Sequence, residues 1–294
     1  MWLGFATLCV LSGTSWVIPS DVFGTMPPME EQGVLFAGIG LAALLFAWRG
    51  IWLRPGLQRS IQLGGAAVAF FGVPIVVAEI VSGGVPPISR SALFAMVPIV
   101  VVMALTAGEG ATVEERGGRR FLIPALVGLG GLLLLLPLEF SGSVRGWIML
   151  GAVCATVILA GLASVWLYRL LSGFGFLEAI AVVGLVNSLF LLSCSGLLER
   201  SAWHLNTLTS VLSVSTLVDV AEVLLIVWLL REIQPLRFAA RYLLIPLVTI
   251  VEGYLVMRPQ ITSRMVAGTL LLSIGAGMLL FWKATEEETT LSLR

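Results

Sequence analysis

The chain has 294 residues, 58% of them hydrophobic and only 12% charged, with a mean hydropathy of +1.03. So few charges cannot cover the surface of a water-soluble protein of this length, which leaves an integral membrane protein with the lipid bilayer as its surroundings. The formal net charge is zero, and without a dense basic patch nucleic acid is excluded as a partner.

Ten apolar runs are predicted, at 2–18, 34–53, 61–81, 91–107, 121–138, 146–167, 176–197, 209–230, 241–257 and 265–282. Each is near the roughly 20 residues a helix needs to cross hydrocarbon. In lipid the backbone must satisfy its own hydrogen bonds, so such spans are helices. No Lys or Arg precedes Arg49, so the first run reads as a retained span rather than a signal peptide. With the N-terminus cytoplasmic, only Arg90, Arg145, Arg200, Arg258 and Arg264 of the 17 basic residues face outward, and the rest, Arg241 among them, lie at inner ends or loops. That bias places both termini inside, as an even number of spans requires. Asp21, Glu30 and Glu31 are expected in the first outer loop, Glu114 and Glu115 in an inner loop, and Glu286, Glu287 and Glu288 in the tail, all as solvated charges.

The spans divide evenly: five in residues 1–138, a connecting loop at 139–145, five more in 146–283, then a cytoplasmic tail at 284–294. Because five is odd, the second set enters the membrane upside down. The expected fold class is therefore an all-α polytopic membrane protein of ten transmembrane helices built as two inverted five-helix repeats. Secondary transporters use that plan, with sites near the midplane where the repeats meet. Val97-Pro98 and Ile245-Pro246 occupy similar places in the two halves, and Pro74, Pro98 and Pro246 are expected bending points. Gly128, Gly130 and Gly131 in the fifth run and Gly268, Gly275 and Gly277 in the tenth are expected at close helix contacts, within one chain or between subunits. A monomer suffices for such symmetry, and a homodimer is the alternative.

The eighth run holds the sharpest contradiction. Asp219 and Glu222, three residues apart, share a helix face that Ser215 extends by a turn. A charge at the centre of a membrane helix costs about 2.5–3.5 kcal/mol or more, so this face must look into protein or a water-filled cavity. The pair either binds a cationic or zwitterionic solute, carries a coupling proton, or forms a structural network. Glu252, beyond Pro246, either lines a cavity or pairs with Arg258. Glu79 lies on the third run, the counterpart of the eighth; it faces Asp219 across one cavity or reaches Arg90 and the interface. Asn187 makes an interhelical hydrogen bond or a ligand contact. Cys9, Cys154 and Cys194 sit in apolar runs, where thiols serve as small packing groups. His204 is the single histidine, so no His/Cys cluster offers a metal site, and no phosphate loop or dinucleotide fingerprint implies a cofactor.

The chain resembles the drug/metabolite transporter superfamily, and within it the EamA-like transporters. Val85-Pro86-Pro87, Pro98, Gly108-Glu109 and the glycine-rich fifth run carry the resemblance in the first half. Pro246, Gln260-Ile261-Thr262, Val266-Ala267-Gly268 and Gly275 carry it in the second, and Ser15-Trp16 matches the family's first-span pattern. Where the family repeats its Gly-Glu, this chain has Met257-Arg258-Pro259. The resemblance implies a carrier of small metabolites, amino acids or drug-like compounds, often outward, with Trp16 near the pathway. The residues add that mid-span carboxyls suit an amine-bearing solute or a proton. No Lys or Arg is expected deep in a span, which argues against phosphate-bearing solutes. The rival readings are a non-transporting scaffold or assembly partner, in which the acids pair with arginines and the cavity is packed shut, and a membrane enzyme, for which no nucleophile–base pair is found.

Overall fold

The computed structural model describes residues 1–14, 27–47, 56–107, 120–136, 142–199, 214–258 and 262–281, and every regular element among them is a helix. In chain order these are α1 (Trp2–Thr14), α2 (Pro28–Ala47), α3 (Leu57–Ile80), α4 (Pro87–Ala107), α5 (Leu122–Leu135), α6 (Val144–Leu171), α7 (Phe176–Leu198), α8 (Val214–Glu232), α9 (Pro235–Met257) and α10 (Ser263–Phe281). Seven of them, α2, α3, α4, α6, α7, α9 and α10, are long and apolar enough to cross a membrane. The chain is membrane-embedded. Among the described residues, seven of the ten expected spans meet the criteria of length and composition, and the described parts of α1 and α5 are apolar and 13 and 14 residues long. α8 has the length, at 19 residues, but carries Asp219, Glu222, Arg231 and Glu232.

Helix α2 begins at Pro28, six residues before the expected position, because proline is pre-organised for a first turn and acids favour a helix N-terminus. Glu30 and Glu31 therefore leave the expected outer loop for the first turn of α2, where Glu30 is buried and Glu31 half-buried. The Glu199 carboxylate, beyond the end of α7, completes that turn by accepting from the Met29 N–H at 2.9 Å and the Glu30 N–H at 3.2 Å. The expected bending points differ in kind. Pro74 follows a π-helical turn at Val68–Gly72, and Pro98 follows a break at Ala95 and Met96. Pro246 lies inside the unbroken helix Arg241–Met257.

Two helix pairs make the most extensive contacts, α2 with α7 and α5 with α10. A Cβ on Gly184 would fall 2.6 Å from the Gly40 backbone, and one on Gly275 would fall 2.5 Å from the Gly128 backbone. Both pairs run antiparallel: Gly33 meets Leu192 while Gly40 meets Leu185, and Gly128 meets Gly275 while Leu135 meets Gly268. Without a hydrophobic driving force between helices in lipid, such backbone-to-backbone approach supplies the packing. Gly128, Gly131, Gly268 and Gly275 thus pack within the chain, whereas Gly130 and Gly277 face open space. Around these pairs, α1 packs on α8 and α9, and α6 packs on α3 and α4.

Candidate functional site

Asp219 and Glu222 project from one face of α8 toward α1 and α2. The side-chain amide of Gln32 on α2 donates to the Asp219 carboxylate at 2.9 Å. Ser12 on α1 hydrogen-bonds the Glu222 carboxylate, and the two acids are close enough to interact electrostatically with each other. Glu31 adds a third carboxylate within reach of Asp219. All of these side chains are half-buried, and among the described residues neither Asp219 nor Glu222 is ion-paired with an arginine. Three acids within mutual electrostatic reach form an electronegative cluster suited to an ammonium group or a shared proton.

Arg241 lies within electrostatic reach of Glu222. The sequence places Arg241 at an inner span end, and the structure begins the unbroken helix there after the turn at Ala240, but the residue is only 6% exposed and so faces protein rather than water. Its guanidinium stands over the rings of Phe238, Tyr242 and Phe70, at 4.4, 4.7 and 5.4 Å from their centroids. Phe70 comes from the π turn of α3, a widening that often accompanies function. Nη2 donates to the Tyr242 hydroxyl at 2.9 Å, while Nε is buried without a partner. Glu222 and Cys9 both lie within electrostatic reach of the charge.

Tyr242 also forms part of the wall of a cavity of about 370 Å³ between α3, α4, α6 and α9. Pro74, Val77, Ala78, Phe94, Ile245 and Pro246 make that wall largely apolar, and Arg90, Ser91, Thr156 and Tyr242 supply its polar groups. Tyr242 stacks on Phe94 with centroids 6.1 Å apart. Because Pro246 has no N–H, the Tyr242 carbonyl four residues back lacks its helical donor.

The remaining candidates fall apart from one another. Asn187 is fully buried on α7; its amide donates to its own helix at the Val183 carbonyl, 2.8 Å, and its Oδ1, facing Gly72 in the π turn, has no partner. Glu252 makes no ion pair with Arg258, and its buried Oε2 has no hydrogen-bond partner. Glu79 is half-buried and outside the cavity wall; Arg90 donates to the neighbouring Ala78 carbonyl instead. The acids on α3 and α8 therefore do not face each other across this cavity. Trp16 and His204, the motifs Gly108-Glu109 and Gln260-Ile261, and the side chain of Ser215 lie outside the described residues. The three cysteines are free. Gln32 falls outside the run expected from 34 because α2 starts six residues earlier, and the burial of Arg241 follows from packing that its place at a helix start does not reveal. Pro28 with Glu30 and Glu31, and Pro235 with its apolar continuation, were the helix-start signals available.

No family model and no curated protein matches the sequence. A solved structure described only as "Crystal structure of protein" superposes with a TM-score of 0.70 at 17% identity, covering 96% of this chain and 98% of its own. That likeness is one of fold.

Proposed function

We propose that this chain is a secondary transporter of the drug/metabolite transporter type, with EamA-like repeats. It moves amino acids or other amine-bearing metabolites out across the cytoplasmic membrane by alternating access, with a proton as the coupling ion. The observation that carries this reading is the Asp219–Glu222 pair, held by Gln32 and Ser12 from the other half of the chain and, among the described residues, without an arginine ion pair. Such acids inside a membrane protein mark solute or proton pathways.

The inverted repeat is part of the proposal, with both termini cytoplasmic. Exchanging each helix for the one five places on carries α2–α7 and α5–α10 into themselves, and carries the packing of α1 on α8 and α9 into that of α6 on α3 and α4. The antiparallel course of both self-paired contacts is what an odd number of spans per repeat requires. A scaffold would have its acids paired and its interior filled, which the cavity of about 370 Å³ argues against.

The test is counterflow of labelled amino acids and amines into proteoliposomes, with a pH-sensitive dye inside. Wild type is expected to exchange at least one solute with accompanying proton movement, and Asp219→Asn/Glu222→Gln to lose it while keeping its elution profile. Folded protein that exchanges nothing would sink the reading.

A further inference from the structure

We propose that Arg241 is a binding residue for a carboxylate, so that the solute is a zwitterion held by its carboxylate at Arg241 and by its ammonium at Asp219 and Glu222. This rests on the transporter reading above and names the solute class of the same site.

Burying an unpaired charge is expensive, and a guanidinium carries five N–H donors in a fork that matches a carboxylate. At 6% exposure Arg241 makes, among the described residues, one donation, to the Tyr242 hydroxyl, and its Nε has no hydrogen-bond partner. The three rings around it offset part of the burial through cation–π attraction but satisfy no N–H in the guanidinium plane. If Arg241 existed only as a counter-ion for Glu222, the two would pair. Instead Glu222 takes its hydrogen bond from Ser12, and Arg241 gives its own to Tyr242. The cation is held near the acids and kept from them, as a site for both ends of a zwitterion requires.

A route exists. The cavity is bounded by Tyr242, whose hydroxyl touches Arg241, so one side chain separates a solute in the cavity from the guanidinium. Beyond Arg241 lies Glu222, and beyond that Asp219. Movement of Tyr242 away from Phe94 joins cavity and charges into one site with cationic and anionic ends.

The test is binding to the purified full-length chain, by thermal shift and calorimetry, of free amino acids, each beside its carboxamide and its decarboxylated amine. Wild type is expected to bind at least one amino acid about tenfold or more tighter than its amide and amine. Arg241→Gln is expected to erase that preference while binding the amine within about twofold of wild type, and Asp219→Asn to weaken all three. An amine or amide that binds wild type as tightly as the amino acid overturns the Arg241 assignment and leaves the transporter reading standing. So does an Arg241→Gln protein that keeps the preference. If no compound binds wild type at millimolar concentration, the reading of the solute class and this inference fall together. Should Arg241→Gln not fold, the amide and amine comparisons on wild type decide alone.

Discussion

The Gln32 amide reaches the Asp219 carboxylate at 2.9 Å across 187 positions of the chain. It ties α2 to α8 and supplies a direct donor to a half-buried acid that has no arginine ion pair among the described residues. Gln32→Ala is expected to destabilise the folded protein by about 1–3 kcal/mol, the range for leaving a buried polar group unsatisfied. In an Asp219→Asn background the same change should cost less, because a neutral amide needs the donor less. Unfolding midpoints of the two single variants and the double variant in detergent measure this coupling. A fully additive cycle would show that the contact has no energetic weight.

Glu199 caps α2 from the end of α7 with two accepted N–H bonds. Glu199→Ala removes both acceptors from a helix start, a change that typically costs about 0.5–2 kcal/mol. Amide exchange at Met29 and Glu30 should rise selectively, while exchange in α5 and α10 should not.

The glycines separate into two classes with opposite expectations. Gly184→Val and Gly275→Val would press a side chain into the facing glycine backbone, and overpacking of that kind costs about 1–3 kcal/mol or more. Gly130→Ala and Gly277→Ala meet nothing within 4 Å. They exchange a poor helix former for the best one, worth up to about 1 kcal/mol of stabilisation. Thermal midpoints of the four variants should therefore split in sign.

Pro246→Ala restores a donor to the Tyr242 carbonyl and removes a helix-interior proline that is about 3 kcal/mol less favourable than alanine, an upper bound on the gain. The variant is expected to melt higher and, under the transporter reading, to turn over more slowly, because Tyr242 and Pro246 both border the cavity. Faster or unchanged counterflow in a stabilised protein would detach Pro246 from the transport cycle.

Composition and hydropathy made the membrane class and the helical fold legible, since lipid permits few ways to satisfy a backbone. The acids of α8 were legible as well, because a charge in an apolar run is conspicuous whatever surrounds it. Span boundaries were not. A hydropathy run marks where apolar residues dominate, whereas α2 starts where proline and first-turn chemistry allow, six residues earlier, and a short helix at Pro235–Ala239 precedes the expected start at Arg241. That offset hid Gln32, and the cage of rings around Arg241 depends on contacts that no run records.

By itself the sequence determined that this chain is embedded in a membrane, that its elements are helices, and that Asp219 and Glu222 share one helix face, all consequences of local composition and periodicity. Only the tertiary structure decided which glycines touch, that Gln32 and Ser12 meet those acids, and that Arg241 sits caged among Phe70, Phe238 and Tyr242 beside a cavity. Those contacts join residues far apart in the chain, and their partners are chosen by how helices cross and at what depth, information that no single apolar run contains.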